Sequence, residues 1–376
     1  MKFHQNVYLS GAWQQRLESI ENADLVLLFG NRDYIHNQAI MAQIRLCYPK
    51  AEIVGCTTSG EVVDTNIYDD SLCLTAIEFA HTCIAVKSAP FNGGSTKAVA
   101  QSLAEDLFQD GLKYVMVLSN GHEINGTDLV NGLQASLPEG VLITGGLAGD
   151  GINFTETLVW HNDAVELGQI VLVGFYGDKL SLGHGCIGGW DAFGPDRAIT
   201  KSASNVLYEL DNVPALTLYK KYLGPHAADL PSSALLFPLV LKIDGKRMTR
   251  TILNINEQDG SMIFAGDVPE GAVVQLMRAN TSKLIDGAEI AAEHALKNIN
   301  PCQTNGLALL ISCVGRRIVL ADYCEEELAV VKDTLGEQWT YTGFYSYGEL
   351  SPMVDSNSCA LHNQTMTITT ICEIDE

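Results

Sequence analysis

Side chains that titrate, coordinate or attack set what a protein can do, and in this chain the nine histidines come first. Two stand in suggestive surroundings. His184 lies between glycines in Gly183-His-Gly-Cys-Ile-Gly188, close in sequence to Trp190 and Phe193. His362 lies in Leu361-His-Asn-Gln-Thr365, at the entrance to the last apolar run. A neutral imidazole beside apolar and aromatic walls is what a five-coordinate haem takes as its one axial ligand, leaving the other iron face open. His184 and His362, with Trp190 and Phe193 as walls, are the candidate cofactor- and metal-binding residues. The spacing itself does not demand haem, because a proximal histidine has no counterpart of the Cys-x-x-Cys-His attachment motif.

The second set is acidic. Glu61, Asp150 and Glu349 recur at one position of an internal repeat. Its copies end in Ile53-Val-Gly-Cys-Thr-Thr-Ser-Gly-Glu61, Ile143-Thr-Gly-Gly-Leu-Ala-Gly-Asp150 and Tyr341-Thr-Gly-Phe-Tyr-Ser-Tyr-Gly-Glu349. Each is preceded by an apolar run closing on Gly30, Gly121 or Gly315, with room for one helical crossover between the two. The paired glycines (Gly55 and Gly60, Gly145 and Gly149, Gly343 and Gly348) predict positive φ or close backbone approach where a strand ends. Loops at strand ends are where α/β proteins place ligands. Backbone N–H groups there can meet a carboxylate. Arg278, in Leu276-Met-Arg-Ala279, and Arg316-Arg317 offer charge-assisted bonds to the same ligand. The loops read equally as tight turns in which each acid caps by accepting backbone N–H bonds.

The elements that must position these residues follow from hydropathy. Short apolar runs, such as Leu25–Phe29, Val115–Leu118, Ile170–Val173 and Leu307–Ile311, alternate with helical patterning over Ile35–Leu46, Thr96–Phe108, Gly126–Ala135 and Glu326–Leu335. The pattern predicts an α/β protein of repeated strand-helix-strand units forming mixed sheets. Beyond residue 200 it changes to strand-like runs with a hairpin turn at Glu257-Gln-Asp-Gly260. Two domains are expected, 1–200 and 201–376.

Composition removes several functions. The net charge of −22 repels phosphate backbones and anionic bilayers, so neither nucleic acid nor a membrane is an expected partner. No apolar run reaches a membrane-helix length, and the N-terminus lacks a signal-peptide core, so the expected location is cytoplasmic. The ten cysteines form no Cys-x-x-Cys pair and several sit in apolar runs, which reads as reduced, buried thiols. Gly183–Gly188 matches the dinucleotide fingerprint in letters alone, since Gly189, Trp190, Gly194 and Pro195 will not open the helix it requires. Phosphate-loop, serine-hydrolase and zinc-protease motifs are absent.

The order of Val54-Gly-Cys-Thr-Thr-Ser-Gly-Glu61, Gly145-Gly-Leu-Ala-Gly-Asp150, Gly183–Trp190, Val268-Pro-Glu-Gly-Ala272, Gly343–Glu349 and Leu361–Met366 resembles FIST-domain proteins, with FIST N and FIST C modules in tandem. The resemblance runs from about residue 20 to 372. It implies a sensory protein rather than an enzyme, one that binds small ligands, for which amino acids have been proposed. A free-standing chain of this length resembles the bacterial nitric-oxide-sensing type (NosP). That resemblance implies haem b, a gaseous ligand and control of a histidine kinase or cyclic-di-GMP signalling partner, with a homodimer possible. A haem-free small-molecule sensor is the alternative, and an enzyme acting through Cys56 or the repeat acids is a third.

Overall fold

The computed structural model describes residues 1–243, 245–297, 299, 305–353 and 358–374. Three units share one topology. In the first, β1 (Leu25–Gly30) leads through α1 (Gln38–Cys47) to β2 (Glu52–Thr57), then β3 (Glu61–Val63) and β4 (Ser71–Glu78). β1 and β2 run parallel, and β4 pairs antiparallel on the other side of β1. The second unit repeats this with β5 (Leu112–Ser119), α2 (Gly126–Ser136), β6 (Leu142–Leu147), β7 (Leu158–His161) and β8 (Gln169–Tyr176).

The chain then inserts other structure: β9 (Leu180–Ile187), a strongly curled second sheet, and α3 (Thr281–Lys297). The third unit closes the chain with β10 (Gly306–Cys313), α4 (Val314–Leu320), α5 (Cys324–Leu335), β11 (Trp339–Ser346), β12 (Gly348–Pro352) and β13 (Met366–Glu373). β9 pairs antiparallel with β13 at the edge of this third sheet.

The units exchange strands in a cycle. After its loop, β3 leaves the first sheet and pairs with β11 of the third. β12 leaves the third and pairs with β6 of the second. β7 leaves the second and pairs with β2 of the first. The three sheets face a shared core containing Leu27, Phe29, Met116, Leu118, Leu309 and Phe344, with the Phe29 and Phe344 rings 4.7 Å apart. Helices cover the outer faces: α1 over the first, Thr96–Leu107 and α2 over the second, α3 and α5 over the third. With both faces buried, these strands read as continuous apolar runs instead of alternating.

Glycines at one register position make this possible. A Cβ on Gly55, Gly145 or Gly343 would lie within about 2 Å of the carbonyl oxygen of Leu28, Val117 or Leu310 on the parallel neighbour. The expected close approach is thus present in all three copies.

The helix expected over Ile35–Leu46 is interrupted. Asn37 turns out of the helical region and its side chain accepts from the N–H of Ala39 and Ile40, so the main helix starts at Gln38. The curled sheet runs Lys246–Arg250, Leu239–Ile243, Val273–Arg278, Asp191–Ala203, Val206–Leu210, Ser261–Phe264 and Ile252–Asn256. Its outermost strands are consecutive in the chain, so it curls until its edges meet at Thr251. The expected Asp259-Gly260 hairpin is formed, with Gly260 at φ +71°. Residue 200 falls inside Asp191–Ala203. Eight cysteines are free thiols, but Cys372 is disulfide-bonded, a departure from the all-reduced expectation; Cys302 lies outside the described residues. Among the described residues no helix is long and apolar enough to cross a membrane.

Candidate functional site

The three glycine-rich loops are the points where strands pass from one sheet to the next, and they bond to each other. Ser59 N–H donates to Tyr345 O and Tyr345 N–H to Gly60 O, both at 2.8 Å. Gly149 N–H donates to Thr57 O at 2.9 Å, and Tyr347 N–H to Leu147 O at 3.1 Å. Their backbone donors therefore already serve a structural junction.

The recurring acids divide into two kinds. Glu61 is buried and accepts from Thr58 Oγ1 (2.5 Å) and Ser71 Oγ (2.6 Å); burial pushes its carboxyl up to about 8 against those two bonds. Glu349 is fully buried and accepts from Ser346 Oγ (2.7 Å) and from Thr365 N–H and Oγ1 (3.1 and 2.9 Å); burial raises it to about 7. Asp150 instead caps the following turn. Burial would raise its pKa, but the Tyr347 hydroxyl and the N–H groups of Glu156 and Thr155 outweigh that and hold it below its ordinary value. Gly60, Glu61 and Asp150 border a cavity of about 200 Å³ that also carries Asp33, Asp69 and Asp70. Gly55, Gly145 and Gly343 lie within strands, and Gly348 begins β12 against Leu147 and Leu361. The loop residues thus do not form one pocket.

The histidines and their expected walls are also apart. His184 sits on β9, and burial followed by nearby His294 lowers its pKa. Trp190 donates its indole N–H to Gln364 O (2.8 Å) and packs with Val240, Met277 and Leu284. Phe193 packs edge-on against Phe237 in the core of the curled sheet. Neither ring walls an imidazole. His362 is buried and donates Nε2–H to Ser351 O (3.0 Å), so that nitrogen is committed to the protein. Arg278 is exposed at the end of a central strand of the curled sheet, near Asp191 and away from all three loops. Arg316 is buried in an ion pair with Glu327, and Arg317 is held by Asp69 (2.5 and 2.7 Å) over the Tyr345 ring. None of the three arginines is free for a ligand in the loops.

A different cavity, of about 260 Å³, opens between the repeat body and the curled sheet. On one side stand the ends of β5, β6 and β10 with their following loops: His122, Asn125, Leu147, Phe154, Cys313 and Tyr347. On the other stand Asn205, Leu235, Thr251, Leu253 and Phe264. Phe154 stacks on Tyr347 at 4.7 Å, and His122 meets Tyr347 edge-on at 5.3 Å. Thr251 is buried there and its hydroxyl has no hydrogen-bond partner among the described residues. Directly behind Gly315, the buried Gln364 has an unpartnered Oε1. Such atoms carry a desolvation cost unless something meets them. An apolar, aromatic wall with a few unmet polar groups, at the carboxyl ends of strands, is the chemistry of a small-molecule site. The sequence signal for it was the glycine ending each first strand, Gly121 and Gly315; Thr251 and Gln364 had none.

The chain matches the FIST N domain over residues 24–213 and the FIST C domain over residues 215–352. No curated protein matches it. FIST domains are associated with sensory signal transduction and are ligand-binding rather than catalytic. With the first match spanning units one and two and the second the curled sheet and part of unit three, the chain belongs to the FIST-domain family.

Proposed function

We propose that this protein is the ligand-binding input of a signalling pathway and that its ligand is a haem-free small molecule, of amino-acid size, seated between the repeat body and the curled sheet. The observation that carries the reading is the unpartnered Thr251 hydroxyl, buried on the wall of that cavity. The volume of about 260 Å³ lies just below the ~300 Å³ at which drug-sized pockets begin, which favours a metabolite over a porphyrin. Phe154, Tyr347 and Leu253 supply an apolar bed, and Thr251 supplies a handle for a polar end. The output passes to a partner, for which a histidine kinase or a cyclic-di-GMP enzyme is the reading we carry from the family resemblance.

The test is a thermal-shift screen of amino acids and small carboxylates on the full chain, followed by titration calorimetry. A ligand that raises the melting temperature is expected, with affinity at least about tenfold weaker in Thr251→Val and lost in Leu253→Trp, which fills the opening. Unchanged affinity in both variants overturns this placement. Haem b with nitric oxide is the second reading, on one observation: the His122 ring lines the cavity beside Tyr347 and makes no side-chain hydrogen bond, so its nitrogens are available. A stoichiometric Soret band on adding hemin, abolished by His122→Ala, would move the reading there.

A further inference from the structure

One corner of the cavity between the repeat body and the curled sheet is built from hydrogen-bond donors. α2 begins there, with Asn125 and Gly126 on the wall. The Asn125 side chain accepts from the N–H groups of Thr127 and Asp128, and Asn125 O accepts from Leu129 N–H. The Gly126 N–H, the first of the helix, is left without an acceptor among the described residues. The hydroxyl of Thr251, a residue only 5% exposed, is a second unmet group on the wall. A third feature lies one layer behind. Gly266 also lines the cavity, and a Cβ built on it would stand 3.1 Å from Arg250 Nε. Arg250 is buried, and its guanidinium donates to the carbonyls of Asp267, Thr249 and Leu361 and to the Met248 sulfur, but to no carboxylate among the described residues. Buried charges are ordinarily paired. Cβ atoms built on Gly126 and Gly266 would lie 2.8 and 3.0 Å from methyl carbons of the same Leu361, so the helix start and the guanidinium flank one corner.

We propose that the ligand of this cavity is a carboxylic acid with an apolar body and no amino group, bound as its anion with the carboxylate in this corner, against the N-terminus of α2. The proposal deepens the ligand site assigned to the cavity and rests on it. A helix start favours negative charge through its free N–H groups and its dipole. The Thr251 hydroxyl donates a second bond. The carboxylate also brings the negative charge that the Arg250 guanidinium lacks.

An ammonium has no seat on this wall. Glu123 is the one acidic residue lining the cavity, and its Oε2 is turned to Gly168, 2.6 Å from where a Cβ would stand. Asp128, in the first turn of α2, and Asp267, which takes the Asn125 amide at 3.3 Å, do not line it. The apolar end of the ligand lies on the stacked Phe154 and Tyr347 rings and on Leu253.

The test is titration calorimetry on the full chain with probes of one shape: phenylacetate, phenylacetamide and phenethylamine, with phenylalanine to add an amino group to the acid. Phenylacetate is expected to bind about tenfold more tightly than phenylacetamide. Phenethylamine is expected not to bind, and phenylalanine to gain nothing over phenylacetate. Gly126→Pro removes the proposed donor at the helical position where proline is favoured, after an Asn125 already extended at ψ 108°, and is expected to weaken phenylacetate about tenfold. Should that variant fail to fold, the probe series on the unmodified protein decides. An amide that matches the acid, a preference for either amine-bearing probe, no binding of phenylacetate, or unchanged affinity in a folded Gly126→Pro overturns the proposal. An uncharged ligand whose binding is lost in Leu253→Trp overturns this proposal and leaves the cavity reading standing. Phenylacetate binding that is indifferent to Leu253→Trp removes the cavity reading beneath it.

Discussion

Replacing Glu349 with glutamine tests whether the recurring acids are structural. The carboxyl is fully buried and accepts three hydrogen bonds, from Ser346 Oγ, Thr365 N–H and Thr365 Oγ1. Its ordinary value of 4.5 rises in the folded chain to about 7, first because of burial and despite those bonds. Between these two values the folded state holds a proton that the unfolded state has released. Stability from this group is therefore complete below 4.5 and lost as pH rises through about 7. At about 1.4 kcal/mol per pH unit, ionising Glu349 in place costs roughly 3 kcal/mol by pH 8. Glutamine mimics the protonated acid: its oxygen can accept from Thr365, and its NH₂ can donate to Ser346 Oγ. Urea unfolding followed by tryptophan fluorescence at pH 5 and pH 8 is expected to show Glu349→Gln near wild type at pH 5 and up to ~3 kcal/mol more stable at pH 8. Glu61, raised to about 8, contributes the same slope to both proteins and cancels in the difference. A variant less stable than wild type at pH 8, or two parallel pH profiles, refutes the reasoning.

The remaining predictions concern the frame. Gly343→Ala places a Cβ 1.8 Å from Leu310 O on the adjacent parallel strand, which cannot yield without breaking the ladder; a loss of at least ~3 kcal/mol, or of soluble protein, is expected by thermal denaturation, and a shift within 1 °C sinks the close-approach argument. Arg316→Met strands Glu327 as an unpaired buried charge and is expected to cost ~3–5 kcal/mol in chemical denaturation. The double variant Arg316→Met/Glu327→Leu should recover most of that loss, and additive losses would show that the ion pair itself, rather than an orphaned charge, carries the stability.

The parts legible in sequence are those enforced locally. An apolar run buried on both faces, a helix-length crossover and a glycine at the close approach leave marks within a few dozen residues, and so the three-unit α/β plan and the Asp259-Gly260 hairpin were readable. The exchange of β3, β7 and β12 was not. Those strands are short, and nothing in Glu61–Val63 distinguishes pairing with β2 from pairing with β11. The same limit governs the sites. Thr251 comes to Gly315, and Gly266 to Gly126, through sheets that join distant stretches of chain. Arg278 shows the converse: a basic residue beside an apolar strand looks like a ligand partner until the strand's neighbours decide that it faces solvent. His362 stands out in sequence for its imidazole, but the neighbouring strand decides its partner, Ser351 O.

On the proposed reading, the contacts between the curled sheet and the repeat body also set how large a signal the ligand can send. Near the cavity the curled sheet is tied to the body by a few bonds: Arg250 Nη1 to Leu361 O at 3.0 Å, Thr251 N–H to Asn363 Oδ1 at 3.5 Å and Gln364 Nε2 to Leu235 O at 3.4 Å. Two of the three are at the long limit, so this seam is held loosely. Beside it, Thr251 Oγ1, Gln364 Oε1 and Asn363 Nδ2 are buried without a partner. Each unmet atom costs about 1–3 kcal/mol. A ligand shifts a conformational equilibrium only by its differential affinity, and reversing a 1:99 ratio takes about 5.5 kcal/mol. Of the three, Thr251 Oγ1 is on the cavity wall, and meeting it when the ligand is seated supplies about 1–3 kcal/mol of that differential without a charged anchor. The seam, rather than the glycine loops, is then the bistable element, and mutations that tighten it with no ligand present should mimic the bound state.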